Sequence, residues 1–371
     1  MPTVVDLFCG AGGLSCGFER AGFAVLAGCD VDRTFGETFV NNHDGARFFH
    51  GPVSQFRDGV LLRELDLRPG ELDVLAGGPP CQAYSVYNHS RGMADPRSRL
   101  FEDYLRIVKD LKPKWLVMEN VTGILSIEKG QLVERIKQAI RDIGYRQVEH
   151  FVLKAEKYGV PQERRRVVFI ANRINQPVSE PAPTCRGADE FVNIWDAIGD
   201  LPPMHPDSRV DEAVPYACEP MTEFQLEMRG NRTLVRSHKS PRLGKINQER
   251  LKYIPEGGSW RNIPFDLLPA GMKKAKRSDH TKRYGRPKKT DLSCTILTKC
   301  DIHWGAYIHP IQNRPFSVRE AARIQSFPDS FVFSGSMTEQ FVQIGNAVPP
   351  RLAFALATHI LPTLATESIA A

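Results

Sequence analysis

Over its first 172 residues the chain alternates short apolar runs with stretches of helical periodicity, and this alternation constrains the fold more than any other feature. Thr3 to Phe8, Ala24 to Cys29, Asp73 to Ala76, Lys114 to Met118, Gln147 to Leu153 and Val167 to Ala171 read as strands. Leu14 to Ala21, Leu100 to Leu111 and Gln131 to Ile143 read as helices between them. A helix between two strands carries the chain back along the sheet, so the strands line up mainly parallel with helices on both faces. The predicted class is α/β, a doubly wound, mainly parallel sheet. In such sheets ligands bind in the crevice outside the carboxyl ends of the strands.

From about Asn175 the pattern changes to a proline-rich, irregular stretch followed by a strongly basic one. Residues 231 to 290 hold 17 Lys or Arg against 4 Asp or Glu, a local balance of +13 in a chain whose net charge is +6. A basic segment on an otherwise mildly acidic protein points to a polyanion met by one region, with a solvated lysine-rich surface as the plainer alternative. Helical periodicity returns at Val318 to Gln325 and at Thr338 to Leu361. The expected organisation is a ligand-binding α/β domain at 1–172, a smaller loop-rich domain at 173–305, and a return segment at 306–371 packing on the first domain.

A hydrophobic share of 42% with 25% charged residues suits a globular protein and not a disordered one. No apolar run reaches the ~18 residues of a membrane span. The N-terminus shows no basic leader with an apolar core, so a cytoplasmic location is expected. Eight cysteines at 9, 16, 29, 81, 185, 218, 294 and 300 include no C-x-x-C pair. Reduced thiols and no metal site are the simplest reading.

Two strand ends carry chemistry. Cys9-Gly10-Ala11-Gly12-Gly13-Leu14 follows the first strand and opens a helix, where glycines let the backbone turn and a ligand approach the helix N-terminus. A nucleotide-like ligand, a dinucleotide in an oxidoreductase, and a tight turn without a ligand all remain open on this loop alone. Asp30 ends the next strand, twenty residues on, where an acid suits ribose hydroxyls; Asp32 could serve instead, or cap the following helix.

Gly77-Gly78-Pro79-Pro80-Cys81-Gln82 leaves another strand, with two prolines fixing the backbone before a thiol. A free thiol is only a few per cent thiolate at neutral pH, so a nucleophilic Cys81 needs activation; an inert cysteine is the commoner case. Glu119-Asn120-Val121 ends the strand Trp115-Leu116-Val117-Met118. A carboxyl there shares the crevice with Cys81, and burial could leave it protonated as an acid. A thiol and an acid together can add across an unreactive aromatic ring. Pairing of the glutamate with an arginine is the structural alternative.

At these residues the sequence resembles the DNA cytosine-5 methyltransferases of bacterial type. Asp6-Leu7-Phe8-Cys9-Gly10-Ala11-Gly12-Gly13 resembles their cofactor loop, Pro79-Pro80-Cys81-Gln82 their nucleophile motif, and Glu119-Asn120-Val121 their acid motif. Gln162-Glu163-Arg164-Arg165-Arg166, the run Arg319 to Pro328, and Gln343-Ile344-Gly345-Asn346-Ala347-Val348-Pro349 complete the ordered set. Six motifs in order are far more specific than one glycine loop.

The resemblance implies a Rossmann-like catalytic domain that takes S-adenosylmethionine as methyl donor, with no metal. Phe8, Gly10, Gly12, Leu14, Asp30, Leu100 and Asn346 would bind it. Cys81 would attack C6 of a cytosine flipped out of duplex DNA, Glu119 would engage its N3 and amino group, and Arg164 and Arg166 would hold the base and support the catalytic loop. The middle region would be the target-recognition domain, with Lys273, Lys274, Lys276, Arg277, Lys282, Arg283 and Arg286 on the phosphates. A monomer is expected, and a restriction endonuclease would be a functional partner where one is paired with it. One departure stands out: Gly51-Pro52-Val53 has proline where the family has an acid that contacts the adenine. A tRNA-modifying relative, a non-catalytic DNA-binding module and a nicotinamide-dependent oxidoreductase are the competing readings.

Overall fold

The computed structural model describes residues 1–79, 99–204 and 213–365. The chain divides into two compact units. The first comprises Met1–Tyr158, Arg165–Thr184 and Ala347–Ala371; the second comprises Gly159–Arg164 and Cys185–Asn346.

In chain order the elements begin with β1 (Thr3–Leu7), α1 (Gly13–Arg20), β2 (Ala24–Asp30), α2 (Arg33–Asn42), β3 (Arg47–His50), α3 (Val60–Glu64) and β4 (Val74–Gly77). There follow α4 (Arg99–Leu111), β5 (Trp115–Val121), α5 (Gln131–Asp142), β6 (Gln147–Lys154), the short β7 (Gln162–Glu163) and β8 (Arg165–Asn172). The second unit adds α6 (Ile194–Ile198), β9 (Val214–Pro215), α7 (Glu223–Arg229), β10 (Leu234–Val235), α8 (Lys245–Leu251), α9 (Ala270–Lys273), β11 (Ser293–Cys294), α10 (Val318–Ile324) and α11 (Met337–Asn346). The helix α12 (Pro350–Ala365) belongs to the first unit.

Seven strands of the first unit form one sheet in the order β3-β2-β1-β4-β5-β8-β6. Neighbours from β3 to β5 are parallel, while β8 runs antiparallel to both β5 and β6. The doubly wound α/β expectation therefore holds. Side chains alternate between two cores, as the two-residue period of a strand requires. Val5, Leu7, Leu75, Leu116 and Met118 face a cluster containing Tyr104, Ile107 and Leu111 of α4 and Leu132, Ile136 and Ile140 of α5. Val4, Val74, Ala76, Trp115 and Val117 face the other, with Leu14 and Phe18 of α1 and Leu352, Leu356 and Ile360 of α12. Near-continuous apolar strands are what burial on both faces demands.

Three sequence boundaries are revised. The first unit continues through Thr184, not 172. Residues 306–346 lie in the second unit, and only the part from Ala347 belongs with the first. The predicted helix Thr338 to Leu361 is two helices, α11 and α12, separated at residues 347–349. Pro349 and Pro350 account for the break, because proline removes a helical donor and restricts the residue before it.

The late helix α10 begins with a capping box: the Ser317 hydroxyl accepts from the Glu320 N–H, and the Glu320 carboxylate accepts from the Ser317 N–H. Arg323 pairs with Asp329 at 2.6 Å and with Asp200, all three inaccessible to solvent. Arg319 donates to the carbonyls of Arg236, Pro328 and Phe331. The charged residues of this motif thus serve the interior of the second unit.

Helices α1 and α12 touch at Gly17, where a Cβ would lie 2.4 Å from Ala353 Cβ and 2.5 Å from the Pro350 carbonyl oxygen. Alanine normally exceeds glycine in a helix by about 1 kcal/mol, but a collision with backbone cannot be relieved by a rotamer change. Gly17→Ala is expected to destabilise the protein by about 1–3 kcal/mol. A denaturant midpoint equal to or above that of the wild type would disprove the close contact.

Candidate active site

The glycine loop begins where β1 ends. Phe8 has a left-handed φ of 59°, as do Gly10 at 54° and Gly12 at 90°. The two glycines serve different needs. A Cβ on Gly12 would lie 2.4 Å from His43 Nε2 and 3.0 Å from Phe39, so this position is packed from beneath. A Cβ on Gly10 would meet only Phe35, at 4.0 Å, so its requirement is the backbone conformation.

Asp30, at the end of β2, latches the loop: its carboxylate accepts from Gly10 N at 2.9 Å and from Asp32 N at 3.0 Å. Burial pushes the Asp30 carboxyl above the usual aspartate range, with those N–H groups pulling the other way. Asp32 takes the other role left open for it, capping α2 by accepting from Thr34 N and Phe35 N. The half-buried Phe8 ring packs against the core beside Val5 and Leu7. An aromatic face, a partly buried carboxylate and a glycine backbone at adjacent strand ends suit a nucleoside.

Beneath the loop lies a group that sequence inspection passed over. Asp6 is fully buried and accepts from the Ser15 hydroxyl at 2.8 Å through Oδ2, and among the described residues Oδ1 has no partner within hydrogen-bond geometry. Desolvation pushes its carboxyl up to about 7. The available signal was an acid inside an otherwise apolar strand.

Leu14 is 5% exposed and its side chain is part of the core, so any contact it makes to a ligand must come from its backbone. Leu100 is half-buried in the first turn of α4. Asn346 is exposed at the end of α11, in the second unit. Pro52 is exposed before a 3-10 turn and brings no carboxylate to the end of β3.

Cys81 lies outside the described residues; Gly78 and Pro79 are the last placed before it. Both abut the acid motif. A Cβ on Gly78 would lie 3.1 Å from Glu119 Oε2, and Asn120 Nδ2 donates to the Pro79 carbonyl at 3.2 Å. The other side of Glu119 is held from β8. Glu119 and Val121 share a face, and Val121 is registered opposite Arg166. The diagonal neighbour of the glutamate is therefore Arg166, whose Nε sits 2.6 Å from Glu119 Oε1, with the two side chains 14% and 13% exposed. The glutamate is thus an oriented carboxylate paired with an arginine, the alternative that the sequence left open.

Arg164 behaves differently from Arg166. It is 1% exposed, in the second unit, and donates to the Ile296 and Gly345 carbonyls. Gln162 similarly bonds the Ile324 carbonyl and accepts from Ile296 N. Arg164 is thus anchored on carbonyls of the second unit, while Arg166 is the arginine that meets Glu119.

Comparison with known proteins places this geometry. The model of the C-5 cytosine-specific DNA methylases matches residues 2–362. The chain belongs to that family. It is 33% identical over 361 residues to the type II methyltransferase M1.HphI of Haemophilus parahaemolyticus, covering 97% of this chain and 86% of that one. M.Eco47II of Escherichia coli is 34% identical over 375 residues, covering 98% and 79%. A prophage-encoded Escherichia coli protein described as a DNA modification methyltransferase shares the fold, with a TM-score of 0.79, 24% identity and coverage of 98% and 99%. The chain is accordingly an enzyme, a DNA cytosine-5 methyltransferase of Rossmann-like fold.

The basic segment of this methyltransferase is not uniform. Lys273, Lys274, Lys276, Arg277 and Lys282 are exposed, and Arg283 is half-buried. Arg286 is 5% exposed and donates to the carbonyls of Leu251, Ile254, His309 and Gln312 and to Asn313 Oδ1. Its donors are spent on folding, which removes it from the phosphate-binding set.

Two outcomes check these assignments. Arg286→Ala should lower the unfolding midpoint, because several buried carbonyls lose their donor. It should leave the salt dependence of DNA binding unchanged; a shallower slope would return Arg286 to the phosphate contacts. For Asp6, the folded-state carboxyl titrates near 7 against about 3.9 when unfolded. The buried charge therefore costs nothing below the lower value and its full amount above the upper one. The stability advantage of Asp6→Asn over the wild type should grow by roughly 1–4 kcal/mol between pH 4 and pH 8. A pH-independent difference would exclude a titrating Asp6.

Proposed function

We propose that the enzyme transfers a methyl group from S-adenosylmethionine to C5 of a cytosine within a short sequence of duplex DNA. The observation that carries this reading is the Arg166–Glu119 pair at the carboxyl end of β5, with Gly78 and Pro79 running against it into Cys81. The same crevice of a parallel sheet holds the glycine loop and Asp30.

S-adenosylmethionine supplies an electrophilic methyl group. Phe8, the glycine loop and Asp30 bind and orient its nucleoside. The target base leaves the duplex stack to reach the crevice. Cys81 then forms a bond from sulfur to C6 while Glu119, held by Arg166, engages N3 and the exocyclic amine. The ring electrons pushed to C5 take the methyl group as its bond to the sulfonium sulfur breaks, leaving S-adenosylhomocysteine. Loss of the C5 proton to water and cleavage of the sulfur–C6 bond release 5-methylcytosine and return Cys81 as the thiolate. Asn120 acts as a positioning residue by fixing the Pro79 end of the nucleophile loop.

The second unit is the target-recognition region, and its exposed cations between Lys273 and Arg283 contact phosphate. The type II names of the relatives favour a modification enzyme matched to a restriction endonuclease. Its expected working form is a monomer on cytoplasmic DNA.

Bisulfite sequencing of DNA from cells expressing the protein should reveal one short methylated motif. Labelling of tRNA in preference to duplex DNA would replace the substrate. Cys81→Ala should abolish turnover, and duplex containing 5-fluorocytosine at the mapped cytosine should give a trapped adduct with the wild type. Glu119→Gln should slow transfer by about 10²–10⁴-fold. A rate within a factor of a few of the wild type would deny Glu119 its part in the chemistry.

A further inference from the structure

Trp304 presents a large aromatic surface to solvent. Its side chain belongs to the second unit, is 59% exposed, and lies outside the local core built by Leu251, Ile254, Trp260, Tyr284, Ile302 and Ile308. Single exposed apolar side chains are ordinary on a protein surface, and what distinguishes this one is the cation stacked on it within the basic segment.

The backbone around it is fixed even though the ring is not buried. Trp304 N donates to the Asp301 carbonyl at 2.9 Å, closing a turn. Asp301 also accepts from His303 N at 2.9 Å and pairs with the His303 ring. Tyr284 N donates to the Ile302 carbonyl at 2.7 Å and Ile308 N to the Gly285 carbonyl at 3.1 Å, so residues 284–285 clamp the base of the turn. Gly285 allows the close approach, since a Cβ there would lie 2.6 Å from Ala306 Cβ. The result is a rigid platform that holds an indole in water.

One side chain covers that indole: the Arg283 guanidinium stands 4.7 Å from the ring centroid. Lys282 and Lys299 are exposed beside this pair in sequence, and the acid of the turn, Asp301, is engaged by His303. A flat aromatic face, a stacked guanidinium and the exposed Lys282 next to Arg283 in sequence together suit a stacking surface with phosphate-binding groups at its edge.

We propose that Trp304 is a DNA-contact residue whose indole stacks on an unpaired or unstacked nucleobase, with Arg283 bridging from the ring to phosphate. This rests on the reading of duplex DNA as substrate, and it adds a specific base-stacking group to the phosphate contacts. Opening a base pair leaves bases without neighbours, and a preset indole offsets part of that loss.

The test compares the wild type, Trp304→Ala, Trp304→Phe and Arg283→Ala, using a fluorescein-labelled mixed-sequence duplex and the same duplex carrying one mismatched pair. The wild type should prefer the mismatched duplex. Trp304→Ala should bind that duplex about five- to a hundredfold more weakly and lose the preference, while Trp304→Phe keeps most of it. Both variants should unfold at the wild-type temperature, because the ring is exposed. Arg283→Ala should reduce the slope of log affinity against log salt by about one. Trp304→Ala binding both duplexes like the wild type would overturn the stacking role while leaving the DNA reading intact. Absence of DNA binding by the wild type, or preference for a folded RNA over both duplexes, would sink the DNA reading and this inference with it.

Discussion

The contact between Arg166 and Glu119 is where the sheet becomes a site. It exists because β8 runs antiparallel to β5, which sets Arg166 opposite Val121 and diagonal to Glu119. A parallel neighbour at that edge would offer a different register and no cation at this point. With both side chains largely screened from water, the attraction is stronger than in a surface pair, and the planar guanidinium fixes the direction of the carboxylate. From the other side, the Asn120 bond to Pro79 and the close approach of Gly78 tie the end of β4 to the same spot. Three strands therefore converge on one carboxylate.

The glycine loop follows the same logic on the neighbouring strands. Asp30 holds Gly10 from β2, Ser15 of α1 holds Asp6 from above, and Asp32 starts the next helix. Each acid in this short region has a distinct partner and a distinct task. The cost is one buried carboxyl, desolvated at Asp6, which is the sort of local strain on stability found beside ligand sites.

Much of this was legible in the sequence, and the reason is periodicity. Apolar runs such as Trp115 to Met118 and helical faces such as Leu100 to Leu111 depend on local spacing, and both were found within a few residues of their bounds. The position of Glu119 at a strand end was equally local. Its pairing with Arg166 was not, because register between strands 45 residues apart in sequence leaves no mark on either one. For the same reason Arg164 and Arg286 read as available cations, although burial and carbonyl partners tie them to the interior of the second unit. Charge is visible in a sequence; burial of charge by distant segments is not. The short β3 and the split between α11 and α12 were missed because four residues carry little pattern and two prolines can either kink a helix or end it.

The packing of α1 on α12 has a bearing on how the protein is made. Residues 13–20 leave the ribosome more than 300 positions before residues 350–365 are translated. At about 5–20 residues per second the first helix waits tens of seconds for the surface that covers its Gly17 face. During that interval the nascent sheet exposes one of its two apolar sides. A chain ending short of residue 350 would leave that apolar face uncovered, the kind of exposed surface that promotes aggregation.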